Sequence, residues 1–139
     1  MALAWIHEDT PLWDRGKADV VGRAAPGVFD WTPPKEGELV PGEWFRVEAD
    51  GSVAGYGWMD CSWGDAEVSL AVKPDFRGRG VGGFILDHLD REAAARGVNY
   101  LYNAVGKAHP EGARVTAWLQ QSGFAPSGDG LLKRRVRPR

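Results

Sequence analysis

The sequence predicts an α+β fold: a central mixed, mostly antiparallel sheet of about six to seven strands with helices on both faces. Three observations carry that expectation. Residues 44–48, 53–59 and 66–73 are strand-like runs joined by Asp50-Gly51 and by Ser62-Trp63-Gly64-Asp65, so the segment reads as an antiparallel meander closed by Pro74. The period then changes. From Gly82 to Arg96 the apolar positions Ile85, Leu86, Leu89 and Ala93 recur at helical spacing, and Gly97 stands where a C-terminal cap belongs. After it, residues 98–105 are β-rich, residues 110–122 read as a helix, and Gly123-Phe124 followed by residues 131–136 suggests a final pair of strands. Strands first in a meander and then alternating with helices give a mixed sheet.

The remaining elements follow in chain order. Residues 3–7 read as a short first strand. Asp9 or Thr10 before Pro11 looks like a helix start, because proline is tolerated in a first turn, and a helix over about residues 11–24 is expected. Residues 25–41 hold Pro26, Gly27, Pro33, Pro34, Gly37 and Pro41, too many breakers for a long element. They are expected to form a loop, with room for a short helix, beside an active-site mouth.

Composition bounds the function. With 139 residues the chain has room for one domain spanning 1–139, and 43% hydrophobic with 26% charged residues is ordinary for a globular protein. A formal net charge of −2 gives no basic field, so neither nucleic acid nor a membrane is the expected partner. The basic tail of Lys133, Arg134, Arg135, Arg137 and Arg139 reads as a solvated terminus, with nucleic acid or the phosphates of a bound ligand as the alternatives. Cys61 is the one cysteine; with His7 and His109 it makes no familiar zinc spacing, so no metal is expected, and a buried, inert thiol in a reducing cytoplasm fits best. No secretory signal pattern opens the sequence and no run of about 18 apolar residues occurs.

The chemistry is carried by the stretch Lys73-Pro74-Asp75-Phe76-Arg77-Gly78-Arg79-Gly80-Val81-Gly82-Gly83, which lies between an apolar strand and a helix start. Glycines without Cβ let successive N–H groups converge on one anion, and a helix N-terminus adds unpaired donors and partial positive charge. A pyrophosphate fits such a turn, assisted by Arg77 or Arg79; the alternative is a connection that merely turns tightly. Gly78-x-Gly80-x-x-Gly83 also matches the dinucleotide fingerprint, but residues 98–110 contain no Asp or Glu to hold a ribose, and a meander precedes the turn. A Walker loop would end in Gly-Lys-Ser/Thr, and this one ends in Gly-Gly-Phe.

Arg77-x-x-Gly80-x-Gly82 after an apolar strand resembles the R/Q-x-x-G-x-G/A signature of the GNAT superfamily of N-acetyltransferases. Glu67-Val68-Ser69-Leu70-Ala71-Val72 is similar to the strand that precedes it in that family, and Trp118-Leu119-Gln120-Gln121-Ser122-Gly123-Phe124 resembles the family's last helix ending in Gly-Phe. The resemblance covers roughly residues 43–136. It implies that the donor substrate is acetyl-CoA. Its pantetheine arm would pair beside Leu70, Ala71 and Val72, and its pyrophosphate would rest on the amides of Arg77, Gly78, Arg79, Gly80, Val81, Gly82 and Gly83. The N–H of Ala71 or Val72 would then serve the thioester oxygen as it gains charge.

Direct attack on a thioester in a ternary complex needs a neutral primary amine, and therefore a proton acceptor. Strand alternation puts Glu67, Ser69 and Ala71 on one face and makes Glu67 the candidate base, a structural or solvated carboxylate being the alternative. Asp60 and Asp65 near the adjoining turn stand second, as groups that would orient a cationic acceptor. Many GNAT enzymes carry an acid tyrosine four residues before Gly-Phe, where this chain has Leu119, so the acid stays open among Tyr102, Tyr100, Tyr56, His109 and solvent. Trp13, Trp31, Trp44, Trp58 and Trp63 crowd the first half and are expected mostly in the core, with one or two walling an acceptor pocket. The expected activity is acetyl transfer to a primary amine of a small molecule or protein, with a homodimer compatible. A non-catalytic acyl-CoA-binding module is the alternative.

Overall fold

Side chains on a strand alternate between two faces, and here both faces are covered. The computed structural model describes residues 1–29 and 31–138. Strands β1 (Leu3–Glu8), β2 (Glu43–Ala49), β3 (Ser52–Ser62) and β4 (Asp65–Val72) pair in succession, all antiparallel. A 3-10 turn at Pro74–Phe76 leads to helix α2 (Val81–Ala95), which follows the shorter α1 (Arg15–Val20). Strand β5 (Tyr100–Asn103) lies parallel to β4, and after helix α3 (Gly112–Gln121) come β6 (Ala125–Pro126) and β7 (Leu132–Arg135). Among the described residues the sheet has seven strands in the order β1-β2-β3-β4-β5-β7-β6.

The main core lies under α2 and α3. Ile85, Leu86, Leu89 and Ala93 form the buried stripe of α2 and cluster with Phe45, Val47, Met59, Val68, Leu101 and α3's Leu119. Full burial of each large aliphatic side chain contributes about 1.5–3 kcal/mol, which fixes α2 firmly across β2 to β5. The approach is close. A Cβ on Gly57 would meet Ile85 Cγ2 at 2.5 Å, so glycine there lets the helix sit down on β3. The polar seam along this side is made by Glu92, which accepts from Trp5 Nε1 at 2.9 Å, and by Arg96, which binds both Glu92 and Glu43.

A second core lies under α1 on the other face, built from Trp13, Val20, Val21, Val40, Trp44 and Tyr56. Its centre is charged. Lys17 is fully buried, with Nζ donating to Glu8 Oε1, to the Leu12 carbonyl at 2.8 Å and to Asp14 Oδ2 at 3.2 Å. Arg46 donates to Glu8 Oε2 and to Glu48 Oε2, each at 2.8 Å, so the buried charges alternate in sign.

Three expectations need correction. Helix α1 does not span residues 11–24: Pro11 to Trp13 run extended beside residues 37–40, with Trp13 N–H donating to the Glu38 carbonyl at 2.8 Å and Val40 N–H to that of Pro11 at 2.9 Å. The cap is Asp14, whose side chain accepts from Lys17 N–H at 2.9 Å. Residues 25–29 and 31–41 form the expected loop, without a short helix among them. The basic stretch is no solvated tail, since Leu132–Arg135 is an inner strand. In it Arg134 is buried, donating to Asp90 Oδ2 at 2.7 Å and to the Ser122 carbonyl at 2.9 Å; Arg139 lies outside the described residues. Cys61 is exposed, with its thiol pushed up by partial desolvation and then by Glu43. Of the tryptophans, Trp13 and Trp44 are core, and Trp63 stands wholly exposed at the β3–β4 turn with a left-handed φ of 54°.

Candidate active site

Strand β4 has two halves. From Asp65 to Glu67 it is laddered to β5, in register Asp65↔Tyr100, Ala66↔Leu101 and Glu67↔Tyr102; beyond that β5 diverges while β4 stays paired with β3 as far as Val72↔Gly55. The result is a fork. In an antiparallel ladder successive residues turn their N–H and C=O alternately to one side and the other. The Val68 carbonyl faces β5, where Asn103 Nδ2 reaches it at 2.8 Å, so the main-chain groups of Leu70 and Val72 face the open side of the fork as well. Ala71 faces the other way: its carbonyl lies beside Gly55, and the next N–H, that of Lys73, comes back to the Ala54 carbonyl at 2.8 Å only after that alternation. Of the two donors considered for a thioester oxygen, Val72 is on the open edge and Ala71 is not.

The open edge runs into the glycine turn. Gly78 and Gly80 have φ of 75° and 82°, a region that L side chains disfavour, and a Cβ at Gly78, Gly80 or Gly83 would meet nothing within 4 Å. Helical hydrogen bonding in α2 starts with Phe84 N–H to the Gly80 carbonyl at 3.1 Å, which leaves the N–H groups of Val81, Gly82 and Gly83 ahead of it. Among the described residues no side chain caps this end, and its first turn carries no acidic residue. Gly82 is closed instead, its Cβ position 3.4 Å from Trp118 of α3. Arg77 and Arg79 are exposed, with the Arg79 guanidinium 5.8 Å from the Phe76 ring. A cleft of about 330 Å³ beside the turn is lined by Arg23, Lys73 and Arg77 together with Asp19 and Asp75. These residues suit an anion: open backbone donors, a positive helix end and cations at the rim.

The carboxylates gather at the closed end of the fork. Asp60, Glu67 and Tyr102 stand in register on three neighbouring strands and so share the face opposite α2, with Glu67 exposed. Burial, then Glu67, then Asp60 and Asp65 raise the Tyr102 phenol above its ordinary value and keep it protonated. One row along, Ser69 stands opposite Trp58, which stacks on Trp44 at 4.3 Å and meets Phe29 at 5.3 Å. Tyr56 lies opposite Ala71 in the second core. Burial first, then Asp14 and Glu8, push its hydroxyl far above the usual phenol range. His109 Nδ1 accepts from Glu111 N–H at 2.9 Å, and Tyr100 is exposed. Leu119 is buried in the main core and presents no acid.

The acetyltransferase (GNAT) domain family matches residues 41–126, from the approach to β2 through the fork and the glycine turn to β6. The chain belongs to the GNAT acetyltransferase family. As a GNAT fold it spans 99% of its own length and 96% of that of the ribosomal-protein-S18-alanine N-acetyltransferase from Escherichia coli, with a TM-score of 0.69 at 18% identity. The phosphinothricin acetyltransferase of Sinorhizobium meliloti, solved with AcCoA, aligns at TM-score 0.57 and 22% identity over 68% of this chain and 61% of that one. The PaiA N-acetyltransferase of Thermoplasma acidophilum, solved with coenzyme A, aligns at TM-score 0.56 and 15% identity over 66% and 59%. At these identities the likeness is one of fold. No curated protein matches the chain in sequence. Among the described residues of this GNAT domain no helix is long and apolar enough to cross a membrane. The residue that reading the sequence missed is Asn103: an asparagine in a strand carries no signal of its own, and only the divergence of β5 gives it a task.

Proposed function

We propose that this acetyltransferase moves the acetyl group of acetyl-CoA to a primary amine by direct attack with both substrates bound. The observation that carries the reading is continuity: the open edge of β4 at Leu70 and Val72 leads through the short turn at Pro74–Phe76 and the glycines into the N-terminus of α2, which no side chain among the described residues caps. Leu70 and Val72 pair with the amide-bearing arm, and the backbone N–H groups of residues 77–83, with Arg77 and Arg79, hold the pyrophosphate. Acetyl-CoA supplies the acyl carbon as an activated thioester. The Val72 or Leu70 N–H donates to the carbonyl oxygen as it gains negative charge. Glu67 takes the ammonium proton, directly or through one water, which frees the amine lone pair; the new C–N bond forms as the C–S bond breaks, and the leaving thiolate takes up, through solvent, the proton that the acylated nitrogen sheds. Asp60 beside Glu67 favours an acceptor that arrives as a cation, and Trp58 with Phe29 walls its approach.

The test begins with calorimetric titration of coenzyme A into the protein. Gly83→Glu places a carboxylate in helical backbone with open space at its Cβ, so it is expected to weaken binding about tenfold or more without lowering Tm. Undetectable binding to the unaltered protein overturns the reading. Turnover is then followed with acetyl-CoA against a diamine, an α-amino acid and a peptide with a free N-terminus. Glu67→Gln is expected to lower kcat about 10²–10⁴-fold with coenzyme A affinity unchanged. A second reading, an acyl-CoA-binding module without turnover, is favoured by the buried Leu119, and tight binding without transfer to any acceptor would establish it.

A further inference from the structure

The rung after Glu67↔Tyr102 would join Val68 to Asn103, and it is missing. Asn103 keeps its main chain with β7, opposite Leu132, while its side chain crosses to β4 and Nδ2 donates to the Val68 carbonyl at 2.8 Å. A side-chain amide thus stands in for a backbone rung at the one place where the ladder gives way to the fork. Strand β5 ends at this residue, and the next outward-facing groups of β4, those of Leu70 and Val72, have no β5 residue in register.

An arm that adds itself to β4 as a strand pairs with whichever main-chain groups on that edge are free. The Val68 carbonyl belongs to the same edge, two residues before Leu70, and among the described residues it is the acceptor in the series that a side chain occupies. It also adjoins Glu67, the candidate base. We propose that Asn103 is a positioning residue for the acyl donor: by occupying the Val68 carbonyl it forms the floor of the fork, sets how deep the arm pairs along β4, and so limits the acyl chain that fits beyond the thioester. The proposal rests on the acyl-CoA reading above. It adds a division of labour, with Leu70 and Val72 receiving the arm and Asn103 stopping it beside Glu67. Asparagine suits the task because its amide donates at short reach, whereas an aspartate of the same shape would repel the carbonyl it faces.

The experiment compares Asn103→Ala, Asn103→Asp and Asn103→Gln for kcat/KM with acetyl-, propionyl- and butanoyl-CoA, for coenzyme A affinity by calorimetry, and for Tm. In the first two variants the rung is lost and the floor opens. The ratio of butanoyl- to acetyl-CoA use is then expected to rise about fivefold or more, while coenzyme A affinity changes less than kcat for acetyl-CoA. Asn103→Gln keeps a donor and is expected to stay near the original ratio. Backbone amide exchange provides a readout independent of turnover: coenzyme A should protect the Leu70 and Val72 N–H groups in the unaltered protein, and less uniformly in Asn103→Asp. If the three acyl-CoAs lose activity in equal proportion and Tm falls in step, Asn103 merely ties β4 to β5 and the proposal is overturned. Failure of the unaltered protein to bind coenzyme A removes the acyl-CoA reading and this one with it; normal binding and transfer with an unmoved ratio removes this one alone.

Discussion

Phe45 and Trp44 are neighbours on β2 and both are fully buried, yet they enter different interiors. Phe45 stacks on Trp5 at 4.8 Å and joins the aliphatic stripe of α2. Trp44 stacks on Trp58 at 4.3 Å with Lys17 Nζ 5.5 Å from its ring. One face of the sheet is held by repetitive apolar packing that tolerates no ambiguity of period. The other is held by a few directional contacts around a buried ammonium, each of which depends on a particular partner. Helix α2 with its glycine turn stands on the first face and Asp60 and Glu67 stand on the second, so under the proposed function the donor would be positioned by packing and the acceptor by polar geometry.

That contrast can be broken most severely at Lys17. Removing it in Lys17→Ala leaves Glu8, itself nearly buried, with one cation instead of two, and Tyr56 and Trp44 over a void; a loss of about 3–5 kcal/mol in urea unfolding is expected. Leu89→Ala tests the packed face, where a cavity beneath α2 should cost about 2–5 kcal/mol, at the same magnitude from pH 5 to 8 because no charge is involved. A loss from Lys17→Ala no larger than that of a surface substitution would show that the charged core is dispensable. Glu92→Gln probes the polar seam of the packed side and should cost about 1 kcal/mol at neutral pH. Burial alone would raise the Glu92 carboxyl, but Trp5's indole N–H and Arg96 outweigh it and hold its folded value below the ordinary one. Its contribution is therefore present above the ordinary glutamate range and lost as pH falls through the depressed folded value. The gap between Glu92→Gln and the unaltered protein should close in that acid window, which thermal unfolding at stepped pH would follow.

The same division decides what could be read from the sequence. Helix α2, the meander and the glycine turn were legible because Ile85, Leu86, Leu89 and Ala93 repeat at one period and because Gly78 and Gly80 occupy backbone that side chains disfavour. The alternation that puts Glu67, Ser69 and Ala71 on one face was legible for the same reason. Helix α1 starts later than its sequence suggests because Pro11 reads as a first-turn residue, whereas the backbone of Trp13 is engaged with Glu38 far along the chain. Arg134 looked like solvated charge, since nothing local reveals that Asp90 waits for it on α2. Which N–H of β4 faces the fork depended on where β5 departs, a fact that belongs to the sheet and to no single segment. Long-range polar partners leave no period behind them, and so the half of the molecule that depends on them was the half least visible.

Strand β7 lies between β5 and β6, and its Arg134 joins α2 to the end of α3. During vectorial synthesis the meander and α2 emerge early and can collapse on each other, but β5 has nothing on its outer side until residue 135 has left the ribosome. The fork, whose far wall is β5, therefore gains its support last. A nascent chain halted before residue 135 would already carry the glycine turn and yet leave β5 without its outer neighbour, so the proposed donor groove would gain its far wall only once β7 has formed.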